Sequence, residues 1–330
     1  MAVTDAVDPG KQTVLVTGGT GFIGIAACRS LRSRGYAVVA YDDLSRGRRN
    51  RLPDDVRVVV GDIRDAARFG EALTAAQPQC VVHLAAMHFI PDCVARPRET
   101  IDVNVEGTRR VLERCRAGGV EHVIFASSGA VYAPTDEACV EDTTPLGPLE
   151  VYGESKLQGE RLIEAFHAET GIATTTLRLF NGIGRDETNP HVVPHIFESL
   201  QTSDAIRLGN IAPRRDYIDT RDIGEAIVSV VSRSSGHQVF NVGTGIAYAV
   251  ADILDRLERI LGHAITVVQD ASRFRAAERM VLAADISRIR SAIGWSPRLS
   301  LDDTLRDLVS AYGLHAQRPV NPVRAASPDD

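Results

Sequence analysis

Apolar residues along the first half of the chain fall in short dense blocks, not in residue-by-residue alternation. Thr13-Val14-Leu15-Val16, Ala37-Val38-Val39-Ala40, the stretch 56–60 and Cys80-Val81-Val82-His83-Leu84 are nearly unbroken runs bounded by Gly, Asp or Pro. A strand that is apolar throughout is covered on both faces, as in a parallel sheet flanked by crossover helices. Residues 22–34 and about 66–76 carry the helical spacing that such crossovers need. The pattern predicts an α/β fold with a doubly wound parallel sheet.

The rhythm continues with a long helical segment over about 98–117, ended by Gly118-Gly119, and a strand at Val123-Ile124-Phe125-Ala126. A helix over about 152–170 then leads to a strand over 174–179. Beyond Asn181 the pattern is irregular and punctuated by Pro, which predicts a smaller α/β lid, with Phe240-Asn241-Val242 returning as a strand to the main sheet. The expected division is a main domain of 12–180 plus about 219–246, and an interleaved lid of about 181–218 plus 247–314. Residues 1–11 and 315–330 read as loose tails.

Composition narrows the class. The 330 residues carry 37 basic and 43 acidic side chains, a net charge of −6, and 44% hydrophobic residues. This is enough apolar material for a packed interior and excludes disorder as the main state. A mildly acidic balance argues against nucleic acid as the main partner. No apolar stretch reaches the length of a membrane span. The five cysteines, Cys28, Cys80, Cys93, Cys115 and Cys139, are odd in number and form no C-x-x-C or Cys/His ligand pattern. They read as free thiols with no metal site, and with an N-terminus lacking an apolar run they predict a cytoplasmic protein.

The first strand leads into Thr17-Gly18-Gly19-Thr20-Gly21-Phe22-Ile23-Gly24, which satisfies both G-x-G-x-x-G and G-x-x-G-x-x-G. Glycines there permit a tight turn and close backbone approach to a pyrophosphate, while the following helix offers free N–H groups. In this strand-turn-helix setting the motif predicts a Rossmann-like dinucleotide site. Asp42 follows 24 residues after Gly18, at the end of the second strand. A carboxylate there accepts hydrogen bonds from a free ribose 2′-hydroxyl and repels a 2′-phosphate, favouring NAD over NADP. Arg46, Arg48 and Arg49 read either as a solvated loop or as phosphate binders. Asp62-Ile63 reads as an adenine contact or as a plain turn.

Tyr152 and Lys156 stand four apart at a helix start, so both project from one face. A phenol acts as a general base only when its pKa falls well below about 10, and an adjacent ammonium lowers it. The chain uses 35 Arg and only two Lys, Lys11 and Lys156. Lysine at position 156 therefore points to a need for a compact point charge where a planar guanidinium would not serve.

These motifs belong to an ordered series. T-G-G-T-G-F-I-G, D-D-L-S at 42–45, H-L-A-A at 83–86, N-V-E-G-T at 104–108, S-S-G-A-V-Y at 127–132 and Y-G-E-S-K at 152–156 are followed by R-L-F-N at 178–181, R-R-D-Y-I at 214–218 and N-V-G-T-G at 241–245. The series resembles the extended short-chain dehydrogenase/reductase family from about residue 12 to 313, and within it the nucleotide-sugar epimerases of the UDP-glucose 4-epimerase type. The resemblance implies that Gly18, Gly21 and Gly24 bind pyrophosphate, that Asp42 meets the adenosine ribose, and that Phe22, Ile23, Asp43 and Ser45 also bind the cofactor. It places Asp62 and Ile63 at adenine, and Leu84, Ala85, Ala86 and Asn104 along the NAD cofactor. Tyr152 becomes the catalytic base, Lys156 binds the nicotinamide ribose and lowers the Tyr152 pKa, and Ser128 hydrogen-bonds the reacting sugar oxygen. Substrate contacts implied are His88, Ser128, Asn181, Val192, Arg215, Tyr217 and Arg275, the two arginines holding the diphosphate. The resemblance also implies a homodimer through the helices 98–117 and 152–170.

Departures narrow the chemistry. Sugar 4,6-dehydratases carry T-D-E before V-Y and glucuronate decarboxylases carry S-E, whereas this chain has Ser128-Gly129-Ala130. Without those acids, oxidation and return of hydride remain, so the reading is an NAD-dependent nucleotide-sugar 4-epimerase, with UDP favoured as the nucleotide. A nucleotide-sugar dehydrogenase or reductase, an epimerase at another carbon, and a non-catalytic NAD-binding scaffold are the alternatives. His88 and Cys93 are unusual after H-L-A-A, and His88 reads equally as a contact to an atypical sugar or as a packed histidine.

Overall fold

The computed structural model describes residues 12–233, 235–273 and 279–314. Its main sheet contains β1 (Thr13–Thr17), β2 (Ala37–Asp42), β3 (Arg57–Val60), β4 (Cys80–His83), β5 (His122–Ser128) and β6 (Ala173–Leu179). The lid contributes β7 (Asn181–Ile183), β8 (Ala205–Leu208) and β9 (Arg214–Asp219); β10 (His237–Val242) returns to the main sheet, and β11 (Ala247–Ala249), β12 (Thr266–Gln269) and β13 (Val281–Leu282) follow. The main sheet runs β10-β6-β5-β4-β1-β2-β3 and is parallel throughout. Strand order reverses between β1 and β4, so their carboxyl ends open a crevice, the usual ligand position in such sheets.

The crossovers are α1 (Phe22–Ser33), α2 (Ala66–Ala76), the short α3 (Ile90–Ala95) and α4 (Pro97–Ile101), then α5 (Gly107–Ala117), α6 (Val151–Thr170), α7 (Val192–Leu200) and α8 (Thr220–Val231). Later come α9 (Val250–Leu261), α10 (Ser287–Ile293) and α11 (Leu301–Ala311). Both faces of the sheet are covered. Val14, Val16, Val82 and Ile124 face one cluster with α1 and α8; Leu15, Val81, Val123 and Phe125 face the other with α2, α5 and α6. This two-sided burial explains why the strands read as continuous apolar runs. A third cluster, including Phe197, Ile253, Leu257 and Leu305, gathers lid elements around β8 and β9.

The segment expected as one helix over 98–117 is interrupted. Between α4 and α5, residues Asp102–Glu106 form a π turn. Such a bulge turns side chains off the regular helical stripe, and here it lets Asn104 lock the loop after β4. Asn104 Oδ1 accepts from Met87 N (2.7 Å), while its Nδ2 donates to Met87 O (2.8 Å) and Ser155 Oγ (2.9 Å). Strand β5 runs two residues past its expected end and carries Ser127 and Ser128 to the crevice.

A buried ionic network braces the same edge. Arg178 forks onto Glu160 through Nε–Oε1 (2.9 Å) and Nη2–Oε2 (2.8 Å), and its Nη1 donates to Tyr132 Oη (2.9 Å). The Tyr132 hydroxyl in turn donates to Asn241 Oδ1 (2.7 Å). Because every charge is paired and every polar atom named has a partner, burial of the pair is offset. The network ties β5, β6 and β10 to α6, the helix that carries Tyr152 and Lys156.

Candidate active site

One cleft of about 1330 Å³ runs from the turn after β1 to the lid. Almost all residues singled out from the sequence line it: Gly18, Gly21, Phe22, Ile23, Gly24, Asp42, Asp43, Ser45, Asp62, Ile63, Leu84, Ala85, Ala86, His88, Ser128, Tyr152, Lys156, Asn181, Val192, Arg215 and Tyr217. Asn104 is 2% exposed and stands behind the wall, holding the backbone of Met87 instead of facing the cleft. Arg275 lies outside the described residues.

At the dinucleotide end the chain offers backbone. Gly18 has φ +67°, and a Cβ there would stand 2.8 Å from Ala85 N; a Cβ on Gly24 would stand 2.0 Å from Gly18 O. The start of α1 has no side-chain cap, so its first N–H groups and positive dipole face the cleft for an anion. Asp42 is 7% exposed, and its two oxygens accept from Thr20 N (3.0 Å) and Leu44 N (2.9 Å). Leu44 holds φ 64°, a left-handed conformation uncommon for leucine and stabilised here by the Asp42 hydrogen bond. A dinucleotide fits this cradle: the glycines make room, and Asp42 is fixed by its own loop with lone pairs left for ribose hydroxyls.

Asp62 is less free than the sequence suggests. Arg64 grips its carboxylate through Nε and Nη2 (2.6 Å to Oδ2) and also reaches Asp102 (2.9 Å). The guanidinium holds the Asp62 carboxyl below its usual range. Arg46 pairs with Asp92 on the cleft rim.

The catalytic trio sits where β5 ends and α6 begins. Ser128 Oγ accepts from Ala130 N (3.1 Å) and lines the cleft together with Tyr152. Lys156, 4% exposed, donates from Nζ to Ala126 O (2.8 Å) and lies 5.0 Å from the centre of the Phe125 ring. Burial pushes Tyr152 up to about 12, offset in part by Ser128, and pulls Lys156 down to about 8.

The lid end is built from side chains of distant segments. Parallel pairing of β7 with β9 places Asn181 beside Tyr217, and Arg215 lies two residues earlier on the same face. Three participants had no signal in the sequence. Arg279, 9% exposed, donates to Gly129 O (3.2 Å) and Tyr132 O (2.5 Å), next to Ser128, with no carboxylate paired to it among the described residues. Glu187 and His191 meet His88 across the cleft, with Asn189 Nδ2 3.0 Å from His88 Nε2. Burial lowers the His88 pKa, and the ring lines the cleft. The three come from a loop before α7 and a segment before β13, regions where neither periodicity nor spacing marks a site.

Comparison with known proteins agrees with this geometry. Residues 14–243 match the model of the NAD dependent epimerase/dehydratase family. A UDP-glucose 4-epimerase of Corynebacterium glutamicum is 30% identical over 301 residues, covering 86% of this chain and 90% of that protein. The crystal structure of a Thermotoga maritima UDP-glucose 4-epimerase with UDP-glucose superposes with a TM-score of 0.86 at 26% identity, covering 92% of this chain and 99% of that one. MoeE5, in complex with UDP-glucuronic acid and NAD, gives a TM-score of 0.82 at 29% identity, covering 91% and 98%.

Proposed function

The chain belongs to the NAD dependent epimerase/dehydratase family and is an NAD-dependent nucleotide-sugar epimerase, and from that premise we propose that it inverts C4 of a UDP-linked sugar. The observation that carries this reading is that Ser128, Tyr152 and the buried Lys156 line the same cleft as the glycine turn. A nicotinamide dinucleotide held by the glycine turn and Asp42 would supply the hydride acceptor for C4 and the donor for its return. Tyr152 Oη takes the C4 hydroxyl proton as the ketone forms and gives it back as the alcohol is restored, so the cycle consumes nothing. Ser128, which lines the cleft beside the start of α6, would hydrogen-bond the reacting sugar oxygen. Lys156 holds positive charge one helical turn away, and a nucleotide diphosphate finds Arg215 at the lid.

Gly129 and Ala130 offer no acid next to Ser128, which disfavours loss of water or of a carboxylate. Five cysteines, all buried and unpaired, support a reducing cytoplasmic setting, and the family resemblance extends the proposal to a homodimer through α5 and α6. No described helix is long and apolar enough to cross a membrane.

A second reading of the sugar is favoured by Arg279. A buried guanidinium beside Ser128, paired only with carbonyls, fits a substrate that brings its own carboxylate, such as a uronate. The test of the main proposal is turnover of UDP-glucose and UDP-glucuronate without added NAD, with the product resolved by NMR. Isomer of unchanged mass is expected, and Tyr152→Phe should retain NAD while lowering kcat by about 10²–10⁴-fold. Stoichiometric NADH release, or full activity of the Phe variant, would overturn it.

A further inference from the structure

His88, Glu187 and His191 bring one ligating atom each to within 4.8 Å of one another at the cleft. Their surroundings are arranged as if around a cation. The Glu187 side chain is 6% exposed, and no Arg or Lys pairs with it among the described residues. Its Oε1 accepts from Thr188 N (2.8 Å), Asn189 N (2.8 Å) and Asn189 Nδ2 (3.3 Å). Its Oε2 stands 3.9 Å from His191 Nε2, beyond hydrogen-bond reach. Asn189 Nδ2 stands 3.0 Å from His88 Nε2, so that ring nitrogen faces the cluster.

We propose that His88, Glu187 and His191 form a binding site for one divalent transition-metal ion of the zinc class, open to the cleft. Two imidazoles and a carboxylate are the donor set that zinc and its neighbours take, and three protein ligands leave a position for an oxygen ligand from the cleft side. Ligands of a tetrahedral zinc, about 2.0–2.2 Å from the metal, lie roughly 3.4 Å apart, so small rotations of the three side chains suffice to close the set. Asn189 explains how the cluster is held without rearrangement of the chain. Its amide N–H group sits between His88 Nε2 and Glu187 Oε1, two acceptors, where a cation would stand. Turning that amide about its terminal bond exchanges donor for Oδ1 and offers the ion a fourth protein ligand.

The site goes beyond the epimerase reading, and its test needs no substrate. The full-length protein with its bound cofactor is treated with EDTA, desalted and equilibrated with zinc or cobalt chloride. Uptake of one zinc per chain is expected, with visible d–d absorption from bound cobalt and protection of His88 and His191 from diethyl pyrocarbonate. His88→Ala and Glu187→Gln should each weaken zinc binding by at least about tenfold, while His263→Ala, at a histidine outside the cluster, should not. Uptake well below one equivalent in the native protein would overturn the proposal, as would equal uptake by the cluster variants. Should a variant lose its fold, seen by circular dichroism, the histidine protection in the native protein decides the matter alone.

Discussion

The two ends of the cleft are built by different means. At the β1–α1 end the lining is backbone: a positive-φ glycine, an uncapped helix start and Asp42 fixed by two main-chain N–H groups. At the lid end it is side chains, Arg215, Arg279, His88, Glu187 and His191, brought from segments as far apart as residues 88 and 279. A backbone site tolerates few residue types because the constraint is steric and local. A side-chain site can change its chemistry one residue at a time on an unchanged frame, which is where members of one fold come to differ in substrate.

The strongest way to break this contrast is to add a single carbon to the backbone end. Gly24→Ala would place a Cβ 2.0 Å from Gly18 O, a main-chain atom that cannot yield without opening the turn. The variant should purify without NAD and lose activity by more than about 100-fold, in line with the cost of misplacing bound reactants. Chromatography of the nucleotide released on denaturation measures this directly. Normal NAD content would mean that the turn is not the pyrophosphate seat.

An effect of intermediate size is expected at the other end. Arg279→Met removes the buried charge next to Ser128 and leaves the carbonyls of Gly129 and Tyr132 without their donor. NAD content should stay intact while kcat/KM falls by about 10–100-fold, a loss of the size expected when a buried charged hydrogen bond is removed. If the substrate is a uronate, the fall should be larger for UDP-glucuronate than for UDP-glucose. An equal fall for both would leave Arg279 as a brace for the 129–132 turn.

The same contrast explains what could be read before the structure. The doubly wound sheet was legible because each strand is apolar on both faces, and the glycine turn because only missing Cβ atoms satisfy it. Tyr152 and Lys156 were legible because helix geometry alone places them together. The π turn at 102–106 was hidden, since nothing in D-V-N-V-E departs from helical spacing, and the hydrogen bond it accommodates, from Asn104 to Met87, is remote in sequence. Arg279, Glu187 and His191 were hidden for the same reason, as their meaning depends on neighbours about 100 to 150 residues away. The burial that raises the Tyr152 pKa was not legible, because a spacing of four residues does not say how much water reaches the phenol.

The smallest expected effect sharpens the boundary between the two kinds of site. Arg46 belongs by position to the dinucleotide loop, yet it acts by side chain, and a guanidinium two residues beyond the D-D-L pattern is a natural partner for a 2′-phosphate. In the structure it is half exposed and paired with Asp92. An exposed pair of this kind contributes roughly 0.2–1 kcal/mol and is screened by salt. Asp42, in contrast, is buried and fixed at the strand end, so its carboxylate sets the repulsion of a 2′-phosphate whatever the loop does. Arg46→Ala should therefore change the ratio of NAD to NADP affinity by less than about fivefold, the factor that 1 kcal/mol represents. Competition between the two dinucleotides for cofactor-stripped protein measures the ratio. A shift of tenfold or more toward NAD would place a phosphate-reading side chain at the backbone end and dissolve the distinction there.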